Sequence, residues 1–423
     1  MKKQFSFLFL MMISTGVILA NDHSVNHKKN DPGEKNAGLK LPAGFSASKI
    51  IEGYGRARHI AVTPQGTIFY KSSKLYNGKG IFQIIKNKKG VDSVFGFGNY
   101  TGTGIAIKNG YLYASSDQEV FRYQLNNKGE VINPNSPEKI ITGLVNNHQH
   151  ESKSIMLDNA GNIYVNIGAY SNSCQEQDRT LHSPGRKPCP ILNEAGGIWK
   201  FKADKPNQSY AEGIRYATGL RNVVGLDWNN QTNTLFVMQH GRDQLHDNWP
   251  EYFDEQSSAE LPAECMYELH GNDNCGWPYI YYDLKQNKKM IAPEYGGDGK
   301  KSTDDYSNPV IAFPAHLAPN ALLFYMGNQF PEKYKNGAFI AFHGSWNRAP
   351  LPQQGYYVVF VPFKNGKPTG EWEVFANGFS GKNEILSTRE AARRPCGLAQ
   401  DNDGALYITD DNKGTVYKIT YNK

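Results

Sequence analysis

The chain lacks the short motifs that mark several large enzyme classes. No GxGxxG opens a helix after a strand, no GxxxxGKS/T loop occurs, and neither HExxH nor GxSxG is present. Such motifs cradle nucleotide phosphates, hold a catalytic zinc ion or present an activated serine. Their absence argues against nucleotide cofactors, zinc proteolysis and serine hydrolysis of those kinds.

Clustered charge and long helical periodicity are missing as well. The formal net charge of +6 is spread along the chain, which favours neither a nucleic-acid partner nor a membrane surface but suits a small anionic ligand. The 42 Gly, 25 Tyr and 21 Phe residues indicate many turns and aromatic strands. The composition therefore predicts an all-β domain.

Apolar runs are short, and the notable one lies at the N-terminus. It extends from Phe5 to Ala20 behind Lys2 and Lys3, the pattern of a secretory signal peptide over residues 1–20 with cleavage after Ala20. An uncleaved N-terminal anchor is the alternative. Residues 21–40 are polar and are expected to form a flexible leader before a folded domain over 41–423. The sequence thus predicts a periplasmic or secreted protein without a membrane span in its mature form.

Cysteine is scarce, with five residues in the chain. Their spacing does not match a zinc knuckle and no CxxCH is present, so zinc or haem ligation by cysteine is not expected. In an exported protein disulfides are the default. Loop length favours Cys174 with Cys189 and Cys265 with Cys275, leaving Cys396 free, although sequence alone leaves the connectivity open.

One short pattern recurs six times: an apolar strand, a polar turn with Gly or Asn, and a second, Tyr-rich strand. The copies begin at Ala57, Gly102, His150, Arg221, Pro319 and Pro395. Six repeats of about 45 residues or more predict a six-bladed β-propeller. Residues 41–51 are expected to pair with the last blade and close the ring. Two stacked β-sandwiches are the alternative.

Two long insertions interrupt the repeat spacing, at about 170–197 and 241–310. They contain the four cysteines expected to pair. Long loops of a propeller project from its faces, and pinned loops there commonly shape a pocket. We therefore expect disulfide-pinned loops on the active-site face.

Several polar residues stand at the ends of repeat strands, which converge on one central mouth in a propeller. They are His150, Arg221, Asn222, Gly241, Arg242, His316, Arg348, Arg393 and Arg394. Arginines that share a cavity repel one another unless an anion occupies it, which points to a carboxylate or phosphate ligand. Taken singly, each arginine also fits a role in bracing a loop.

The sequence resembles the PQQ-dependent sugar dehydrogenases, particularly their branch similar to L-sorbosone dehydrogenase, from about Leu41 to the C-terminus. The stretches that carry the resemblance are HESKSIMLDNAGNIYVNIGAYSNSC, YATGLRNVVGLDW, QHGRDQL followed by CGWP, AHLAPNALLFY, FIAFHGSWNR with GYYVVFVPF, and RRPCGLAQDNDGALYITDD. The resemblance implies a six-bladed propeller that holds pyrroloquinoline quinone (PQQ) beside a calcium ion. It implies oxidation of a sugar or sugar aldehyde, with electrons passing on to a separate cytochrome or quinone.

The resemblance also implies residue roles. His150 matches the general base and Arg221 the cation that stabilises charge as hydride reaches the quinone. Asn222 matches the hydrogen-bonding neighbour of Arg221, and Gly241 and Arg242 match the positions whose carbonyls bind calcium. Arg348, and one of Arg393 and Arg394, match basic side chains on the cofactor carboxylates.

Departures from the glucose-oxidising branch affect the substrate more than the cofactor. Gln149 precedes the base where those enzymes carry an aspartate, and Arg242 replaces a proline. Gln149, His316 and Trp346 are the candidate residues of the substrate pocket. Glucose itself is therefore not implied.

Two other functional classes remain as alternatives. A calcium-dependent propeller lactonase needs acidic and amide side chains around the channel mouth, whereas the repeat edges here are basic. A noncatalytic propeller could use the same arginines to bind an acidic partner.

Overall fold

The sixfold repeat folds into six antiparallel sheets, each forming one blade of a β-propeller. The computed structural model describes residues 35–87 and 90–422. The expected signal peptide and most of the expected leader lie outside the described residues. The innermost strands of the blades are Ala57–Val62, Ile105–Lys108, Ile155–Leu157, Val223–Asn229, Pro319–Phe324 and Pro395–Gln400. Each lies within one of the six repeats, which confirms the propeller prediction.

The remaining strands follow from the centre outwards. In blade 1 they are Ile68–Tyr76, Lys79–Asn87 and Gly90–Phe97; in blade 2, Tyr111–Ser115, Val120–Gln124 and Glu138–Thr142. In blade 3 they are Asn162–Ile167, Gly197–Lys202 and Ile214–Thr218; in blade 4, Thr234–Gln239, Glu264–Leu269 and Ile311–Phe313. In blade 5 they are Ala338–Phe342, Tyr357–Val361 and Glu373–Ala376; in blade 6, Leu406–Asp410, Thr415–Tyr421 and Phe45–Ile51.

Short elements complete the chain. Gln208–Ser209 and Asp273–Asn274 pair in parallel with the outer strands of blades 2 and 3, and two small hairpins join Ile280–Asp283 to Lys288–Ile291 and Phe363–Lys364 to Lys367–Pro368. The helical turns are Lys35–Gly38, Pro190–Asn193, Tyr210–Glu212, Leu245–Asn248, Glu255–Glu260, Pro293–Tyr295, Glu332–Tyr334 and Thr388–Glu390. Among the described residues, no helix is long and apolar enough to cross a membrane.

The polar turns between the first two strands explain why the repeat pattern forms hairpins. Asp158 Oδ1 accepts hydrogen bonds from the backbone N–H groups of Ala160 and Asn162, both at 2.8 Å. Asp401 Oδ1 accepts one from Ala405 at 2.9 Å in the last blade. A side chain that satisfies backbone donors locally favours the turn over a continued strand.

The hydrophobic core lies between adjacent blades rather than in one central mass. Apolar side chains of neighbouring sheets form a cluster at each of the six junctions. At the junction of blades 5 and 6, for example, Phe339 packs in the same cluster as Leu398 and Ile408. The centre of the ring is thereby left to the polar ends of the inner strands.

The N-terminal strand closes the ring, as expected. Phe45–Ile51 pairs antiparallel with Thr415–Tyr421 as the outermost strand of blade 6. The packed chain begins slightly before Leu41, because Leu39 is buried in the core cluster of blades 5 and 6 and Lys40 forms a bridge with Asn377. The last residues of the expected leader thus belong to the folded domain.

The two insertions lie in blades 3 and 4. Residues 168–196 join the second and third strands of blade 3, and residues 240–263 and 270–310 flank the third strand of blade 4. The blade 4 insertion has its own small apolar core, which includes Leu245, Phe253 and Met290. Trp277 Nε1 donates to the carbonyl of Asn172 at 3.0 Å, so the insertions pack on each other.

Only one of the two expected disulfides forms among the described residues. Cys174 and Cys189 are bonded across the blade 3 insertion. The pairing of Cys265 with Cys275 is wrong: both are free, buried thiols in the apolar cluster between blades 3 and 4. Cys265 lies on a central strand, where packing supplies the constraint that a loop disulfide supplies elsewhere. Cys396 is free, as expected.

Candidate functional site at the propeller mouth

Arg221 and Asp243 form the centre of the site. Arg221 precedes the inner strand of blade 4 and is buried, and its Nη2 lies 2.7 Å from Asp243 Oδ2. Its Nη1 donates to the carbonyl of Gly241 at 2.9 Å and its Nε to that of Asn172 at 3.2 Å. Acceptors in fixed positions around the planar fork hold the guanidinium rigidly.

Asp243 is the shared acceptor of this network. Arg179 Nη2 lies 3.2 Å from Oδ2, and Asn347 Nδ2 donates to Oδ1 at 3.1 Å. Burial by itself would raise the pKa of Asp243, but Arg221, His316 and Arg179 lower it to about 2. The carboxylate is therefore charged at any working pH and ties residues of blades 3, 4 and 5 together.

His150 lies beside this centre, but it does not begin the strand that the repeat pattern assigned to it. The inner strand of blade 3 starts at Ile155, and His150 reaches the mouth through a loop in which its own φ is 52°. Burial and the charge of Arg221 lower the pKa of His150 to about 3. Its Nδ1 contacts the carbonyl oxygen of Ala169. His148, two residues earlier, is exposed and contacts Glu151 at 3.1 Å.

The contact with Ala169 determines the tautomer of His150. A carbonyl oxygen only accepts, so Nδ1 carries the proton and donates it. The neutral ring then holds its lone pair on Nε2. His150 is thus a neutral imidazole with a defined proton-accepting atom.

Arg242 plays a different part from the one expected of its backbone. Its guanidinium Nη1 lies 2.6 Å from both carboxylate oxygens of Glu294, and both side chains are buried. Trp249 and Ser173 also donate to Glu294, at 3.0 Å each. Arg242 therefore anchors the blade 4 insertion next to Arg221, and its Nη2 is buried without a partner.

Asn222 and Gln149 each offer a buried oxygen without a hydrogen-bond partner. Asn222 Oδ1 lies close to Gly168, against which the Cβ of His150 also packs. The Gln149 amide donates to Asp178 Oδ2 at 3.3 Å. Unpaired buried acceptors are costly unless a donor or cation completes them.

The two other candidates for the substrate pocket lie on the blade 5 side. His316 is buried and bonds the carbonyl of Ser258 at 3.0 Å, and it is close enough to Asp243 to lower the pKa of that carboxylate. Trp346 is 60% exposed and precedes Asn347, which contacts Asp243. An exposed indole beside a polar centre suits stacking against a ligand ring.

The remaining arginines differ in position. Arg348 donates to the carbonyls of Ala259, Ala315 and Pro352 at 3.1 to 3.3 Å, so its guanidinium braces three loop segments. Arg394 donates to the carbonyl of His343 at 3.1 Å, and its charge helps to lower the pKa of Asp411.

Arg393 lies apart from this site. It pairs with Glu52 at 2.7 Å and lines a separate pocket with residues 37–40, 378 and 381–383. The structure therefore separates the two side chains of the adjacent pair: Arg393 pairs with Glu52, and Arg394 contacts His343.

A second polar centre lies where blades 5, 6 and 1 meet. Asp411 accepts from His343 Nε2 at 2.7 Å and from Arg58 Nη1 at 3.3 Å. Burial alone would raise the pKa of Asp411, but His343 and Arg58 hold it well below its usual range. Arg58 also lines a cavity of about 290 Å³ with His150 and Asp117, which connects this centre with the general-base candidate.

Sequence reasoning missed several residues of both centres: Asp243, Asn172, Arg179, Arg58, His343 and Asp411. Asp243 directly follows Gly241 and Arg242 in the QHGRDQL stretch, so an acid next to a candidate arginine was the available signal. Arg58, at a repeat strand start, was open to the same convergence rule as Arg221. Asn172 and Arg179 lie in an insertion without periodicity.

Comparisons with known proteins identify the family and the fold of the chain. The TrAA12-like family model matches residues 39–422. An uncharacterised protein of Borreliella burgdorferi is 27% identical over the full length of both chains. A PQQ-dependent pyranose dehydrogenase of Coprinopsis cinerea is 25% identical over an aligned region that covers 66% of this chain and 40% of that protein. A PQQ-dependent sugar dehydrogenase of Hypocrea jecorina is 22% identical, with 75% and 73% of the two chains aligned.

Solved structures share the fold. The calcium structure of a Trichoderma reesei family AA12 enzyme superimposes with a TM-score of 0.72 at 18% identity, covering 91% of this chain and 97% of that chain. The holo PQQ domain of the Coprinopsis cinerea pyranose dehydrogenase gives 0.69 at 19% identity, covering 90% and 97%. The fold and the match over nearly the whole domain define a propeller oxidoreductase of the PQQ-dependent sugar dehydrogenase class. Within that class the chain belongs to the TrAA12-like family.

Proposed function

We propose that this protein oxidises an aldose to its lactone, or a sorbosone-like aldehyde to its acid, using PQQ and calcium at the propeller mouth. The observation that carries the proposal is His150, a neutral imidazole whose Nε2 is free to accept a proton beside the fixed cation of Arg221. Bound PQQ supplies the acceptor for the hydride that leaves the substrate carbon.

His150 takes the proton of the substrate hydroxyl, or of the hydrated aldehyde, on Nε2. The proton on Nδ1 stays hydrogen-bonded to the carbonyl oxygen of Ala169, and this contact keeps the ring oriented through the reaction. The proton leaves the hydroxyl oxygen and the hydride, with two electrons, leaves the carbon. The substrate is thereby oxidised by two electrons and a C=O bond forms. A neutral imidazole is the form that a general base needs.

Arg221 stabilises the negative charge that develops as the hydride arrives. Asp243, Asn172 and Gly241 hold its guanidinium before the reaction, so no reorganisation is required. Asp243 also offsets the positive charge of the mouth when no ligand is bound. Asp243 thus acts as a positioning residue for Arg221.

The mouth fits a tricarboxylate cofactor and a hard cation. Arg242 Nη2 is a buried donor without a partner, which a carboxylate would satisfy, and Asn222 Oδ1 is a buried acceptor that a cation or donor would satisfy. Calcium at Gly241 would share that carbonyl with Arg221. The carboxylate of Asp243 beside it supplies compensating charge.

The substrate pocket is formed by Gln149, His316 and Trp346. Trp346 offers a face for a sugar ring, and His316 and Gln149 offer polar groups at its edge. We also propose that the chain is exported to the periplasm or beyond and passes electrons to a separate cytochrome or quinone. The signal-peptide pattern of residues 1–20 supports export.

Reconstitution tests the proposal. Apo-protein freed of metal is mixed with PQQ alone, calcium alone or both, and the quinone absorption band and dye reduction are recorded with aldoses, sugar aldehydes and polyols. We expect activity only with PQQ and calcium together, and highest with an aldose or sugar aldehyde. Full activity in a chelated preparation would contradict the calcium assignment, and preference for a polyol would contradict the substrate.

A further inference from the structure

A pocket of about 380 Å³ lies where the start of the described chain meets the connection from blade 5 to blade 6. Residues 37–40 form one part of its lining, Gly378 and residues 381–383 form another, and Arg393 and Tyr417 complete it. It shares no lining residue with the cavity beside the general-base candidate. Its volume lies in the range of pockets that bind small organic ligands. We call this site the blade 5–6 pocket.

The side chains that line the pocket carry positive charge. Lys40, Lys382 and Arg393 are among them, and none of the lining residues is an aspartate or a glutamate. Lys382 pairs with Glu390 at 3.2 Å, but both side chains are largely exposed, so this pair is weak and a ligand can replace it. Three cations around one cavity favour an anionic occupant.

Arg393 is the most firmly placed of the three cations. Its Nη2 donates to Glu52 Oε2 at 2.7 Å, and its Nε donates to Thr415 Oγ1 at 3.3 Å. These two contacts fix the plane of the guanidinium, whereas Nη1 has no hydrogen-bond partner among residues 35–87 and 90–422. A fixed guanidinium with an unused donor suits recognition of a carboxylate or phosphate oxygen.

Tyr417 adds a buried donor to the wall of the pocket. Its side chain is fully buried, and its hydroxyl has no hydrogen-bond partner in the part of the chain that the structure describes. Burial raises the pKa of Tyr417, so the hydroxyl keeps its proton and can donate it. A buried hydroxyl without a partner is costly, and an oxygen atom of a bound anion would remove that cost.

Backbone contacts hold the walls of the pocket together. The N–H of Lys40 donates to the carbonyl of Asn377 at 2.9 Å, and the N–H of Asn377 donates to the carbonyl of Lys40 at 3.0 Å. Gly378 has a φ of 96°, and a Cβ at this position would lie 2.7 Å from the carbonyl oxygen of Gly38. Glycine thus permits both the turn and the close approach of the two segments.

We propose that the blade 5–6 pocket binds a small organic anion through a carboxylate or phosphate group. Arg393 and Tyr417 donate hydrogen bonds to the oxygens of this group, and Lys40 and Lys382 supply further positive charge. The proposal goes beyond the function proposed above, because neither PQQ nor a sugar at the propeller mouth takes part in it.

Calorimetric titration tests the proposal with three probes that share one carbon skeleton: glycerate, glycerol 3-phosphate and glycerol. We expect saturable binding of at least one of the two anions, weakened by added salt, and much weaker binding of glycerol. The stronger of the two anions identifies the preferred group. The titration is made with and without PQQ and calcium, because the arginines of the mouth also attract anions. Binding that PQQ abolishes would place the anion at the mouth and overturn the proposal.

Matched variants locate the anion. Tyr417→Phe should weaken its binding by about tenfold to a hundredfold, the usual effect of losing a hydrogen bond to a charged group. Tyr334→Phe is the control, because Tyr334 is also buried in the cluster of blades 5 and 6 with an unpartnered hydroxyl but does not line the pocket. It should leave binding unchanged.

A third variant covers the case in which Tyr417→Phe does not fold. Lys382→Gln changes an exposed side chain and should weaken binding of the anion, whereas Lys335→Gln removes another lysine that pairs with a nearby glutamate and should not. Wild type that binds neither anion more tightly than glycerol, or equal affinities in wild type and the pocket variants, would overturn the proposal.

Discussion

The two polar centres of the mouth use the same chemistry but have different origins. In each, a buried aspartate accepts a hydrogen bond from an arginine close to a histidine. Asp243 accepts from Arg221, and Asp411 accepts from Arg58. Asp411 follows directly on a repeat strand, whereas Asp243 lies in an insertion of blade 4. Repeat strands thus build one half of the mouth and insertions the other.

The two halves of the mouth therefore differ in what holds their side chains in place. The repeat-built half is held by strand ends and the closing seam of the ring. The insertion-built half depends on its own ion pairs, a disulfide and a small core, because these loops extend beyond the sheets of blades 3 and 4. Loops placed on a rigid scaffold are where function commonly varies.

The largest expected effect concerns catalysis by His150, whose Nδ1 contacts Ala169 of the insertion-built half. His150→Gln should reduce turnover by about a hundredfold to ten-thousandfold, as the loss of a general base does, while PQQ binding changes little. The assay uses protein reconstituted with PQQ and calcium and the best substrate found. His148→Gln is the matched control because His148 is exposed and only two residues away. A dead His148→Gln with an active His150→Gln would move the base to the other histidine.

Breaking the buried ion pair that anchors the blade 4 insertion comes next. Glu294→Gln should lower the free energy of unfolding by about 3 to 5 kcal/mol, because it leaves Arg242 buried without its partner. Glu373→Gln, which removes an exposed pair with Lys333 in blade 5, should cost about 1 kcal/mol or less. Denaturant unfolding of both variants measures the contrast. Equal losses would mean that the insertion does not depend on this pair.

The disulfide provides a smaller difference within the insertions. Cys174→Ala should lower the free energy of unfolding by about 2 to 4 kcal/mol, since it opens a closed loop. Non-reducing peptide mapping should recover Cys174 linked to Cys189, and Cys265 and Cys275 as thiols that react only after unfolding. Recovery of a Cys265–Cys275 bridge would restore the pairing expected from loop length.

The most gradual expected effect is a pH dependence in the repeat-built half. Burial lowers the pKa of His59 to about 4, so the folded protein binds its proton less readily than the unfolded chain, whose histidine has a pKa near 6.5. His59 therefore makes stability fall as the pH drops from about 6.5 to 4, with a slope of at most about 1.4 kcal/mol per pH unit because one proton is involved. The cost of His59→Asn should shrink over this window. Thermal unfolding between pH 7 and 4 checks this, and a constant cost would contradict the buried, neutral state of His59.

The sequence predicted the half of the molecule that repeats. Six strand–turn–strand copies were enough for six blades, and a strand end placed Arg221 at the mouth. Other features depend on contacts between distant segments. They are the position of Asp243, the free thiol of Cys265 and the different surroundings of the Arg393 and Arg394 side chains. Glu294, for example, meets Arg242 across 52 positions of sequence. Pattern rules describe local structure and symmetry, and neither contains such pairings.

The closing strand has a consequence for the order of assembly. Phe45–Ile51 is among the first segments of the domain to be synthesised, yet its partner, Thr415–Tyr421, is the last. Until Thr415–Tyr421 has been synthesised, Phe45–Ile51 has no strand to pair with and blade 6 lacks its outermost strand. A chain that stops after blade 5 would leave two unpaired edges, both open to another copy of itself. Because the ring closes only when its first and last strands pair, the sheet edges of blade 6 are covered only in a chain that contains both strands.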